Sequence, residues 1–248
     1  MTGFRVKHGM TKCNMETLTE GFRKALSLIL NLDKELLGII CLSLKVSGLA
    51  LLISTALGLP IGALMGLKRF PLRGVVVSFM NTFMGLPPVV VGLFVYLLLS
   101  RSGPLGFMGL LYTPSAMVIA QTILAFPIVT SLSHSAIVSV DPIMQQASIT
   151  LGATSSQVTL TIIGEARYGI MSGVIAAFGR VMAEVGAILI VGGNIAGYTR
   201  VMTTTIALET DKGNFELAIA LGIILLLISL SINIFLHLIQ KKSMIRTK

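Results

Sequence analysis

The sequence predicts an all-α membrane protein, and three observations support that fold class. Of the 248 residues, 54% are hydrophobic and only 12% charged, against roughly 25% charged in an ordinary soluble domain. Mean hydropathy is +0.91. Five apolar runs fill most of the chain between 36 and 239, each long enough for the ~20 helical residues that cross a bilayer. A water-soluble globule is thereby excluded. Nineteen Lys and Arg against ten Asp and Glu give a net charge of +9, which reads as basic cytoplasmic loops rather than a nucleic-acid surface. The expected organisation is an N-terminal segment with an amphipathic helix at 1–35, a membrane domain at 36–240 and a basic cytoplasmic tail at 241–248.

In the first segment, Arg5, Lys7, Lys12, Arg23 and Lys24 interrupt any apolar stretch, and no apolar centre suits a cleavable signal peptide. Within 17–35, Phe22, Leu26, Ile29 and Leu30 recur at three- and four-residue steps, while Arg23, Lys24 and Ser27 lie elsewhere. That pattern predicts an amphipathic helix, either resting at the membrane interface or standing off it. Cys13 and Cys41 have no metal-like spacing and carry no redox inference.

The first span, 36–67, is apolar apart from Lys45, which should snorkel or face protein. Gly58, Gly62 and Gly66 fall four apart and offer a smooth stripe for a neighbouring helix, with Pro60 inside it. Lys68, Arg69 and Arg73 then place three cations within six residues, so this loop is assigned to the cytoplasm. The second span, 74–99, contains Asn81 and the break Gly85-Leu86-Pro87-Pro88; the third, 114–138, contains Pro127. The fourth covers 168–195 and the fifth 215–239, ended by Lys241, Lys242, Arg246 and Lys248. Alternation puts 139–167 and the C-terminus inside, and 100–113 and 196–213 outside. It also puts the N-terminus outside, against its five cations, unless 18–35 forms a short sixth span.

The connection 139–167 is long enough to expect a function of it. Asp141 is a plausible N-cap with Pro142 at the first helical position, and Ile143, Ala147 and Leu151 share one face. Gly152 can end that helix, and a second short helix is expected from Ser155 or Ser156 to Ile163. Such helices, almost uncharged, either fold back on the bundle or await a partner.

Here a family resemblance enters. Gln146-Ala147-Ser148-Ile149-Thr150-Leu151-Gly152, followed nine residues later by Ile162, resembles the Glu-Ala-Ala, three residues, Gly, nine residues, Ile, one residue, Leu-Pro pattern of permease subunits of binding-protein-dependent ATP-binding cassette importers. Gln146 stands for the Glu, Ser148 for the second Ala and Gly164-Glu165 for the Leu-Pro, while both spacings are intact. Similarity extends through Gly-Leu-Pro-Pro-Val-Val-Val-Gly at 85–92 and Ala125-Phe126-Pro127. The resemblance implies a type I importer permease fold with five or six spans. It also implies a coupling helix docking into an ATPase subunit, with Asp141, Gln145, Gln146, Ala147, Ser148, Leu151, Gly152 and Ala153 at the contact. Implied partners are a second copy of the chain, that ATPase, an extracytoplasmic oxyanion-binding protein and the lipid of a prokaryotic inner membrane.

Arg180 and Glu184 lie at mid-span, where charges cost roughly 2.5 to 3.5 kcal/mol each. Four residues apart on a continuous helix, they would share a face and neutralise each other. The run from Arg180 to Val191-Gly192-Gly193-Asn194-Ile195 resembles the molybdate, tungstate and sulfate branch, and most closely its tungstate-type permeases. Asn194, Thr203 and Thr204 are candidates for lining the anion path, against an ordinary reading as turn residues. No Gly-x-x-x-x-Gly-Lys-Ser/Thr phosphate loop is present. ATP and Mg are therefore expected on the partner ATPase, with neither cofactor, metal nor catalysis in this chain. An ion-coupled secondary carrier is the alternative. An intramembrane enzyme is disfavoured, since His8, His134 and His237 are scattered.

Overall fold

A computed structural model describes residues 15–30, 34–68 and 70–245, so Cys13, His8 and the last three residues lie outside the described part. Among the described residues the chain is a set of ten α-helices with one short 3-10 turn at Gly106–Met108. Three helices are apolar and long enough to cross a membrane: α2 (Lys34–Leu67), α5 (Pro114–Val138) and α10 (Phe215–Ile245). Two bent pairs meet the same length and apolarity requirement when the two helices of each are taken together. In one, α3 (Arg73–Phe83) meets α4 (Pro88–Leu99) at 100°; in the other, α7 (Ser155–Met182) meets α8 (Gly186–Gly192) at 57°. The count of five follows when each pair is taken as one span.

The first bend lies where the sequence places it, since Pro87 and Pro88 cannot continue a helix. The second corrects the expectation of one helix over 168–195. Ala183 caps α7, and Glu184 and Val185 separate it from α8. The expected short helix from Ser155 to Ile163 is likewise the first third of α7, which runs unbroken for 28 residues into the membrane.

At the centre of the bundle, α5 is buried along most of its length. It packs closely on α2 because Gly62 lacks a side chain: a Cβ there would stand 2.6 Å from the Thr130 carbonyl oxygen. Gly173 admits Leu132 of α5 to α7 in the same way. Arg73 fastens the cytoplasmic end, donating through Nε to the Met65 carbonyl at 2.6 Å and lying 3.4 Å through Nη2 from His134 Nε2. The last carbonyls of α2, which have no intrahelical partner, thus gain a cation.

The amphipathic helix forms as α1 (Met15–Leu30), shorter than the expected 17–35. Its sixteen residues cover about 24 Å, less than the hydrocarbon thickness of ~30 Å. It packs on α10 rather than resting alone at the interface. Ala25 is buried beside Ala220 and Leu221, Gly21 abuts Ile219, and Lys24 Nζ lies 3.7 Å from Glu216 Oε2. The side chains of Phe22, Ile29 and Leu30 lie outside the described part.

Candidate functional site

The cytoplasmic elbow is α6 (Pro142–Thr150). Asp141 caps it, with Oδ1 accepting from the Ile143 N–H at 2.9 Å, and Pro142 takes the first position. Beyond Leu151, Gly152 turns left-handed at φ +80°, and the Ala153 N–H reaches back to the Ser148 carbonyl at 3.0 Å. The chain then restarts at Thr154, whose N–H donates to Gln157 Oε1 at 2.8 Å. Both ends of the elbow are therefore fixed by local hydrogen bonds, without help from the bundle.

That self-sufficiency leaves the apolar side chains uncovered. Ile143 is 67% exposed, Ile149 58% and Leu151 87%. Gln145, Gln146 and Ala147 are exposed too, while Ser148 and Ala153 are half-buried. The elbow stands off the bundle instead of folding back on it. Between it and the bundle runs a groove of about 560 Å³, lined by Pro60, Leu64, Lys68, Gln145, Ile149 and Ala153 among others.

Deeper in the chain, the two bends lie against each other. A Cβ on Gly186 would meet Val89 Cγ2 at 2.9 Å, and one on Gly92 would meet Ala187 Cα at 2.7 Å. The expected pair of Arg180 and Glu184 does not form. Because α7 ends at Met182, the two residues do not share one helical face. Arg180 is exposed and its Nη2 donates to the Leu86 carbonyl at 3.4 Å, across the other bend. Glu184 is buried, and its Oε1 accepts from the Ala187 N–H at 3.0 Å in the first turn of α8.

The exposed face of α7 differs from the other outward faces. On α2, α4 and α10 it carries Leu, Ile, Val and Phe, as a lipid-facing surface should. On α7, from Ser172 through Ala176 and Arg180 to Ala183, the exposed residues are small or polar. Between Leu160 and Leu189 no large apolar side chain is exposed. An exposed guanidinium among small residues at membrane depth fits a protein interface or a wet path better than hydrocarbon.

Asn194, Thr203 and Thr204 do not come together. Thr203 and Thr204 are buried at the start of α9 (Met202–Asp211), where Thr203 Oγ1 donates to the Glu184 carbonyl at 2.8 Å. Thr204 Oγ1 accepts from the Val201 N–H at 3.1 Å. In this chain both hydroxyls bond the backbone. Asn194 sits in the left-handed region at φ +49°, in a turn tied by Thr199, whose Oγ1 donates to the Gly192 carbonyl at 2.6 Å. A feature the sequence reading passed over is the buried Gln121 of α5, whose Nε2 donates to the Val181 carbonyl at 3.2 Å. An amide inside an apolar run was the available signal. In α9, outside the candidate spans, Glu209 Oε1 receives Lys212 Nζ at 2.8 Å and Oε2 receives Asn214 Nδ2 at 3.0 Å. The Lys212 hydrogen bond, reinforced by Asn214, holds that carboxyl below its ordinary range despite burial.

Comparison with known proteins agrees with this geometry. Residues 58–244 match the model of the binding-protein-dependent transport system inner membrane component family. A probable anion ABC transporter permease protein of Haloferax volcanii is 49% identical, over 80% of this chain and 88% of its own. The tungstate uptake system permease protein TupB of Peptoclostridium acidaminophilum is 42% identical, over 92% of this chain and 100% of its own. Among solved structures, a bacterial alginate ABC transporter in complex with an alginate pentasaccharide-bound periplasmic protein superposes with TM-score 0.71. It shares 20% identity over 90% of this chain and 85% of that one, a likeness of fold.

Proposed function

The chain belongs to the family of binding-protein-dependent transport system inner membrane components, and on that premise we propose that it forms, with a second copy of itself, the membrane path of a tungstate importer. It is a multi-pass inner-membrane permease subunit of an ATP-driven oxyanion importer. Tungstate as the cargo is favoured by the similarity to a tungstate uptake permease across that relative's whole length. In this reading the chain catalyses nothing and binds no nucleotide. ATP and Mg act on the partner ATPase, and an extracytoplasmic binding protein delivers the anion.

The observation that carries the coupling role is the uncovered elbow. Burying a Leu or Ile side chain is worth ~1.5 to 3 kcal/mol, and Ile143, Ile149 and Leu151 present that gain to a partner. The resemblance assigns that partner as the ATPase, with Asp141, Gln145, Gln146, Ala147, Ser148, Gly152 and Ala153 around the contact. Motion of the ATPase would reach the membrane through α7, whose first turn follows the elbow directly. The test is Leu151→Asp, a change at a site so exposed that the fold should tolerate it. Copurification of the ATPase should fall at least tenfold while membrane insertion stays normal; unchanged copurification would overturn the reading.

For the path, the small and polar face of α7 is proposed to meet the second copy across a wet seam. Arg180 has spent one donor on Leu86. Its remaining donors suit a tetrahedral dianion passing by.

A further inference from the structure

Glu184 raises a charge problem that the permease role leaves unsolved. It is 5% exposed, at membrane depth, and among the described residues no cation pairs with it: Arg180 turns to Leu86 instead. Oε1 takes one backbone N–H, from Ala187 at 3.0 Å. Burying a carboxylate on such terms is costly unless a positive charge joins it.

Beside this carboxylate lies a small cavity of about 10 Å³, lined by Ser43, Ser47, Gln121, Glu184 and Thr203 together with apolar neighbours. That volume suits one water-sized occupant. Gln121 is 1% exposed and its Oε1 is buried with no partner. Its orientation is not arbitrary, because Nε2 is committed to the Val181 carbonyl at 3.2 Å; a flipped amide would set oxygen against oxygen there. Ser47 Oγ, 3.5 Å from the same Nε2, adds a hydroxyl oxygen.

We infer that this cavity is a binding site for one desolvated monovalent cation, Na⁺ by size, held by the Glu184 carboxylate, Gln121 Oε1 and Ser47 Oγ. The donor set is oxygen only, which suits a hard cation. Its single negative charge is balanced by one positive charge and would be overcompensated by two. No group of three or more His, Cys, Asp or Glu stands ready for a transition metal among the described residues. The site joins α2, α5 and the bend between α7 and α8, so the cation pins the bend that sets the Arg180 face. It is a resident ion, distinct from the cargo and from the energy source.

The test is thermal unfolding of the purified importer complex in NaCl, KCl and choline chloride at equal ionic strength. Saturating Na⁺ should raise the melting temperature by about 5 °C over choline, with a saturable dependence on Na⁺ concentration. Glu184→Gln should abolish the difference. Should that variant fail to fold, Gln121→Leu and Ser47→Ala should each shift the Na⁺ dependence at least tenfold to higher concentration. Equal melting in Na⁺ and choline, or an unchanged Na⁺ dependence in the Gln121 and Ser47 variants, overturns the site.

Discussion

An arginine at membrane depth must find an acceptor, a cavity or an anion, because lipid offers it nothing. Arg180 has found one carbonyl, that of Leu86, and is otherwise exposed on a face of small residues. Arg180→Gln should therefore leave folding and ATPase copurification intact while lowering oxyanion uptake at least tenfold. Arg180→Lys, which keeps the charge without the fork, should retain part of it. Uptake at wild-type rate in the glutamine variant would remove Arg180 from the path. Glu209, in α9 outside the candidate spans, tests a different point. Its carboxyl is held below its ordinary range by Lys212 first and then Asn214. A lowered folded-state value means the stabilisation is full above the ordinary carboxylate range and is lost as pH falls through the lower folded value. Glu209→Gln should accordingly cost about 1 kcal/mol or less at neutral pH, since Lys212 is half exposed. The difference from wild type in pH-dependent melting should vanish in acid; a constant difference at every pH would contradict the linkage.

Among elements, α2 and α5 show how small residues set helix distance. Gly62→Val would drive a side chain into the Thr130 carbonyl and Ser133, at a cost of about 1 to 3 kcal/mol. Gly48, on the same helix, has open space at its Cβ position. Gly48→Ala should be neutral or stabilising by up to ~1 kcal/mol, as for an unstrained helix site. Equal melting of both variants would refute close packing at Gly62. The stripe 58–62–66 was legible in sequence because Gly recurs at helical spacing, and α5 because Pro114 opens it and mostly apolar residues without Asp, Glu, Lys or Arg fill it. The bend at 85–88 was legible from its prolines. The bend at Ala183-Glu184-Val185 was not, because no proline marks it and each residue there is compatible with a helix. Once that bend is missed, Arg180 and Glu184 pair wrongly on paper. The elbow was legible from Asp141-Pro142 and Gly152, whereas its continuation into α7 was hidden by Glu165 and Arg167, which read as loop. Thr203 and Thr204 were ambiguous in sequence for a related reason: hydroxyls that suit an anion path also suit the first turn of a helix, and here the backbone takes them.

For the whole molecule, the proposed coupling joins two features, an exposed elbow at one end and a face of small and polar residues along α7. Two copies joined along α7 would hide Arg180 from lipid and leave both elbows on the cytoplasmic face. α1 packs against the start of α10, through Ala25 beside Ala220 and Leu221 and through Lys24 near Glu216. The most direct measurement is tungstate accumulation in proteoliposomes containing the permease with or without its ATPase and binding protein. Uptake should require both partners and ATP, and should be absent from vesicles with the permease alone under any imposed ion gradient. Accumulation by the permease alone, driven by such a gradient, would contradict the account and make the chain a secondary carrier.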